Sequence, residues 1–175
     1  MATTKRWVAL LRAVNVGGRK VGMARLKELA AEAGLTEVST HLVSGNLLFT
    51  GSGTQAQLRT RLEKAISDDF GFTVEVLLRS REQLEKLLAD NPFANGKPAQ
   101  VLIGFLDGTA EAGLADKLAT VAVNERIKVA GTEVWLDCVD GIGRSKLAAQ
   151  LPALVKPRIV TARNVNTVAK LAELL

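Results

Sequence analysis

Four short segments of the chain gather the residues able to hold an anion: glycines, asparagines, serines and long cations. Asn15-Val16-Gly17-Gly18-Arg19-Lys20 precedes a helical pattern, so backbone N–H groups and two cations could meet a negative charge at a helix N-terminus. Ser44-Gly45-Asn46 reads as a tight turn. Gly141-Ile142-Gly143-Arg144-Ser145-Lys146 and Thr161-Ala162-Arg163-Asn164-Val165-Asn166-Thr167 each open a helix. The chemistry on offer is recognition of a phosphate or carboxylate, or stabilisation of charge developing in a reaction. The residues expected to bind such a ligand are Arg12, Asn15, Gly17, Gly18, Arg19, Lys20, Ser44, Asn46, Arg144, Lys146, Arg163, Asn164 and Asn166.

Each segment also has a plain structural reading. Glycines permit the positive φ of a turn, and Asn164 or Thr161 would serve as an N-cap. Neither a Walker-type loop nor a Gly-x-Ser-x-Gly elbow is present, which speaks against Ser44 as a nucleophile. The third glycine of a dinucleotide fingerprint is missing after Gly143. Arg163 is the exception, because a cation at a helix N-terminus opposes the macrodipole unless an anion is near. It is expected at the surface, where exchange for lysine would cost under about 1 kcal/mol of stability. His41, the single histidine, reads as a half-buried, hydrogen-bonded side chain. One His and one Cys argue against a metal held by nitrogen and sulfur, and no acidic cluster suggests magnesium.

The elements that must position these segments are written twice. Trp7 to Leu11 is an apolar strand; Met23, Leu26, Ala30 and Ala33 recur at helical spacing, closed by Gly34-Leu35. His41-Leu42-Val43 and Leu47-Leu48-Phe49 flank the turn as hairpin strands. Thr54 with Gln57 signals a capping box before Leu58, Leu62 and Ile66, and Thr73 to Leu78 supply a fourth strand. Ser80 with Gln83 starts a linking helix. Asn91 to Pro98 carries two prolines, a glycine and two asparagines, a boundary. The grammar then restarts with strand Val101–Leu106, a helix marked by Leu114, Leu118 and Val121, and a hairpin about Ala130-Gly131-Thr132. A helix carried by Leu147, Leu151 and Leu154, the short strand Ile159-Val160 and a terminal helix from Val165 follow.

Two β-α-β-β-α-β units make an α+β protein of tandem ferredoxin-like halves, each an antiparallel sheet ordered 4-1-3-2, with additional helices. The expected division is residues 1–90, a linker at 91–99, and residues 100–175. In such a plait the loop after strand 1 and the turn between strands 2 and 3 share one end, while the exits of strands 3 and 4 share the other. The four polar segments therefore collapse into two clusters, which are expected to face a common cleft.

Composition narrows the classes. With 47% hydrophobic and 23% charged residues the chain reads as globular, and no apolar run approaches a membrane span or the core of a signal peptide. Lone Cys138 points to a reducing compartment, hence a cytoplasmic protein, and its place on an alternating strand predicts a buried, inert thiol. A net charge of +5 raises nucleic acid as a partner, but the cations are dispersed. With no Tyr and no RNP-like arrangement, base stacking on a sheet is disfavoured, leaving contact with the phosphate backbone. The leading expectation is a protein binding a phosphorylated or anionic small molecule in a cleft. Its rivals are an enzyme using arginine and asparagine for anion stabilisation, and sequence-non-specific nucleic-acid binding.

The motifs also carry a family likeness. Leu11-Arg12-Ala13-Val14-Asn15-Val16-Gly17-Gly18 resembles the LRGINVGG segment of the bacterial domain-of-unknown-function family 1697. Ser44 to Phe49 resembles its SGNVVF, Asn91-Pro92-Phe93 its NPF, and Thr161 to Val168 its TTRNWNTV. Ala13 stands where the motif has Gly, and Val165 where it has Trp. The resemblance implies paired plait-like α+β halves and names no activity.

Overall fold

The structure is a computed structural model that describes residues 3–12, 18, 20–42 and 45–175. The chain divides into two compact units, Met1–Glu85 with Leu171–Leu175, and Lys86–Lys170.

The first unit is a four-stranded antiparallel sheet ordered β2-β3-β1-β4, from β1 (Thr4–Leu11), β2 (Thr36–Thr40), β3 (Asn46–Ser52) and β4 (Val76–Ser80). Two helices pack on it, α1 (Met23–Glu32) and α2 (Gln55–Phe70). One core joins Trp7, Ala9, Leu11, Leu47, Phe49, Val76 and Leu78 of the sheet to Leu26, Leu58, Leu62 and Ile66 of the helices. The alternate residues Val8, Leu10 and Leu77 are buried too, so these strands are covered on both faces, as their unbroken apolar runs demand. The capping box forms: Thr54 Oγ1 accepts from Gln57 N at 3.1 Å, and Gln57 Oε1 from Thr54 N at 2.9 Å. Gly34, at φ 87°, ends α1 while Leu35 N reaches Ala30 O at 3.0 Å, a Schellman closure.

The second unit repeats this. Its sheet is ordered β6-β7-β5-β8, from β5 (Val101–Leu106), β6 (Arg126–Ala130), β7 (Glu133–Asp137) and β8 (Val160–Asn164). α4 (Leu114–Ala119) and α5 (Lys146–Leu154) cover it around Leu102, Leu106, Val134, Leu136, Leu147 and Leu151. Both sheets have the expected strand order, and the α+β class of two tandem plait units stands. α3 (Arg81–Ala89) begins in the first unit and ends in the second, and α6 (Val165–Leu174) does the reverse. Residues 91–98 are a series of turns in the second unit, with Phe93 buried and its N–H held by Asn91 Oδ1 at 2.8 Å. Phe93 lies 4.8 Å beneath the guanidinium of Arg126.

Three strands run differently from the sequence expectation. Strand 2 is the polar Thr36–Thr40, whereas His41 and Leu42 lie beyond it, Leu42 in a left-handed conformation at φ 64°. An edge strand pairs on one side only and needs no apolar run. β4 and β8 extend further than their apolar cores suggest, through Arg79-Ser80 and Arg163-Asn164. Buried polar ends conceal a strand from a pattern search.

Candidate functional site

In the second unit, two connections close on each other around a groove of about 420 Å³. One is the loop from α4 into β6, the other the turn from β7 into α5. β7 ends at Asp137; Gly141 N then bonds Cys138 O at 2.8 Å, and Gly141 takes φ 97°, where a side chain would be strained. One 3-10 turn, Ile142–Arg144, leads to Ser145, the N-cap of α5, whose Oγ accepts from Ala148 N at 3.0 Å.

The same hydroxyl donates to Glu125 Oε1 at 2.9 Å, tying the two connections together. Glu125 Oε2 accepts from Val123 N at 2.7 Å and Asn124 N at 3.2 Å, and Asn124 Nδ2 donates to Asp140 at 2.7 Å. Burial favours the protonated form of Glu125, but these donors outweigh it and hold the carboxyl below its usual range. Cys138 is buried beneath, its thiol pushed up by burial against a bond with Ser145, with the charges of Glu125 and Asp137 adding to the rise. Arg144 and Lys146, exposed, stand on either side of Ser145 in the groove wall. The arrangement offers two cations, the start of a helix and a fixed carboxylate.

Of the residues singled out by sequence, Arg144 and Lys146 come together here. Glu125 and Asn124 were missed because the contact that joins their loop to Ser145 spans twenty residues of sequence, and Asp140, at the head of the polar segment, was not among the residues expected to bind. Arg163, Asn164 and Asn166 share this end of the sheet, since Asp137 pairs with Val101 of β5 and Asn164 with Leu102, but they do not line the groove. Val160 and Ala162 of β8 face the helices, so Thr161 and Arg163 point the other way. Arg163 is nonetheless buried at 8% exposure, contrary to the expected surface position. It donates from Nη1 to Thr161 Oγ1 at 2.8 Å and Ala162 O at 2.9 Å. Burial draws its pKa down to about 10, so it stays charged at neutral pH. Asn164 Oδ1 accepts from Thr167 N at 2.9 Å and caps α6; Asn166 is exposed on the first turn.

In the first unit, register brings Arg12 beside the hairpin turn: Leu10 pairs with Asn46, and Leu11 N bonds Gly45 O at 2.9 Å. Arg12 Nη1 pairs with Glu75 at 3.4 Å, and its N–H bonds Glu75 O at 2.9 Å. Asn46 is fully buried and donates from Nδ2 to His41 O at 2.8 Å, which makes it a turn clasp. Gly18, at φ 87°, and Lys20 are exposed. Asn15, Gly17, Arg19 and Ser44 lie outside the described residues. Among the described residues, no group of three or more His, Cys, Asp or Glu could hold a metal, and no helix is long and apolar enough to cross a membrane.

The fold is similar to that of the conserved bacterial protein SP0830 from Streptococcus pneumoniae, at a TM-score of 0.76 and 26% identity, over 99% of each chain. No curated protein matches the sequence. The family model described as "Protein of unknown function (DUF1697)" matches residues 4–135, from β1 to the middle of β7. With its sequence motifs, its duplicated plait and this match, the chain belongs to the DUF1697 family.

Proposed function

We propose that the second unit binds a small phosphorylated or otherwise anionic molecule in the groove over the start of α5. The observation that carries this reading is the placement of Arg144 and Lys146 in one groove wall, flanking the N-cap Ser145. A phosphate there would meet two cations, helix N–H groups and the positive end of the helix dipole together. A volume near 420 Å³ suits a small metabolite. The corresponding connection in the first unit, Gly53-Thr54 before α2, carries a capping box and no cation, so the groove is an elaboration of one copy on a shared frame.

The test is a thermal-shift screen with inorganic phosphate, nucleotides and sugar phosphates, followed by calorimetric titration of those that respond. A ligand at 100 times its Kd should add about 2.7 kcal/mol of stability. The Arg144→Ala, Lys146→Ala double variant, altered only at exposed side chains, should keep its melting temperature and lose the response. A screen in which no anion shifts the wild-type protein sinks the reading.

A further inference from the structure

The groove is not simply cationic, and its charge balance narrows what it can hold. Glu125 and Asp140 share the lining with Arg144 and Lys146, so two carboxylates offset two cations. A polyanion would find its attraction to the cations cancelled at close range by the carboxylates. We infer that the ligand is a zwitterion, carrying a phosphate or carboxylate for Arg144 and Lys146 and an ammonium for Glu125 and Asp140. This rests on the anion-binding reading of the same groove and adds a second pole to it.

The carboxylate pole is built, not incidental. Glu125 is locked by two backbone N–H groups and the Ser145 hydroxyl, which leaves it no freedom to swing into solvent and fixes where its charge lies. Asp140 is oriented by Asn124, whose own N–H bonds Glu125, so a single loop positions both acids. A group with its charge already fixed recognises a partner at little ordering cost. Val123, 78% exposed, and Val139, 44% exposed, also line the groove and are the apolar surface against which a short carbon linker between the two charges would lie. Val123 is the most exposed large apolar side chain among the described residues.

The experiment compares phosphoethanolamine with ethyl phosphate by calorimetric titration at neutral pH. The two share a phosphate and a two-carbon chain and differ only in the ammonium. Phosphoethanolamine is expected to bind at least about tenfold more tightly, a difference near 1.4 kcal/mol. Asp140→Asn, at an exposed position, should shrink that preference, and the Asp140→Asn, Glu125→Gln pair should abolish it. Equal affinity for the two compounds overturns the zwitterion inference and leaves the anion reading standing. An ammonium preference that survives in Asp140→Asn at full size overturns it too. If neither compound binds and inorganic phosphate also gives no heat, both readings fall together.

Discussion

Arg79 of β4 and Arg163 of β8 occupy the same position in the two units. Arg79 sits opposite Val8 of β1 and Arg163 opposite Ile103 of β5, both buried, and each donates from Nη1 to the carbonyl of the preceding residue at 2.9 Å. Each is followed by a residue that caps the next helix, Ser80 before α3 and Asn164 before α6. A buried arginine and a helix cap thus form one junction used twice, which gives Arg163 a role in the fold.

Arg163→Lys should therefore destabilise the protein by about 1–3 kcal/mol, since one guanidinium nitrogen serves Thr161 Oγ1 and Ala162 O together and an ammonium on a different stem cannot keep both. Arg79→Lys should cost a similar amount. Urea denaturation of both variants checks this, and a loss below 0.5 kcal/mol (roughly the range of a neutral surface change) would return Arg163 to the status of a spare cation.

Arg126 anchors a second buried charge. Asp137 is 2% exposed, and its Oδ2 accepts from Arg126 Nε at 3.0 Å and Nη2 at 2.5 Å, while the guanidinium covers Phe93. Arg126→Met should cost about 2–3 kcal/mol, less than a wholly buried pair because water reaches the arginine side. The double variant Arg126→Met, Asp137→Leu should recover part of that loss, as chemical denaturation would reveal.

Glu125 ties stability to acid. Its folded pKa lies below its unfolded value, so its contribution is complete above the unfolded pKa, near 4.3, and is lost as pH falls through the folded one. Wild type should lose stability below pH 4.3 more steeply than Glu125→Gln, and at pH 7 the variant should be the weaker. Parallel pH–stability curves would show that Glu125 is not the group responsible.

The Cys138 thiol is buried and its pKa raised, so at pH 8 it is almost wholly the protonated, unreactive form. Labelling by an aromatic disulfide reagent should be slow in buffer and complete within minutes in 6 M urea. Fast labelling of the native protein would mean that the groove floor opens.

Much of this architecture could be read from residues alone. The two capping boxes, the glycine closure of α1 and the apolar runs of β1 and β5 are local signals, and they imply the duplicated plait and the sharing of ends between loops. What escaped was tertiary. Arg163 looked like a ligand arginine because its strand neighbours, Thr161 and Ala162, gave no apolar pattern to mark β8. Glu125 drew no reading from sequence at all, because its significance lies in the hydroxyl of Ser145 across the groove. Asn46 read as a ligand donor and proves to be a clasp on the carbonyl of His41. Polar residues that are buried satisfy one another at long range, and spacing does not record that.

The assignment of Leu171–Leu175 to the first unit has a consequence for how the molecule comes into being. Leu171, Ala172 and Leu175 are buried, and Arg6 and Arg81 donate to the carbonyls of Leu174 and Leu175 at 3.4 and 3.2 Å. A ribosome therefore delivers the whole of the second unit before it delivers the segment that completes the first. The first unit is thus discontinuous in sequence: residues 86–170 are made between its two stretches, and a truncation before Leu171 would strip from it the buried side chains that Arg6 and Arg81 help to hold.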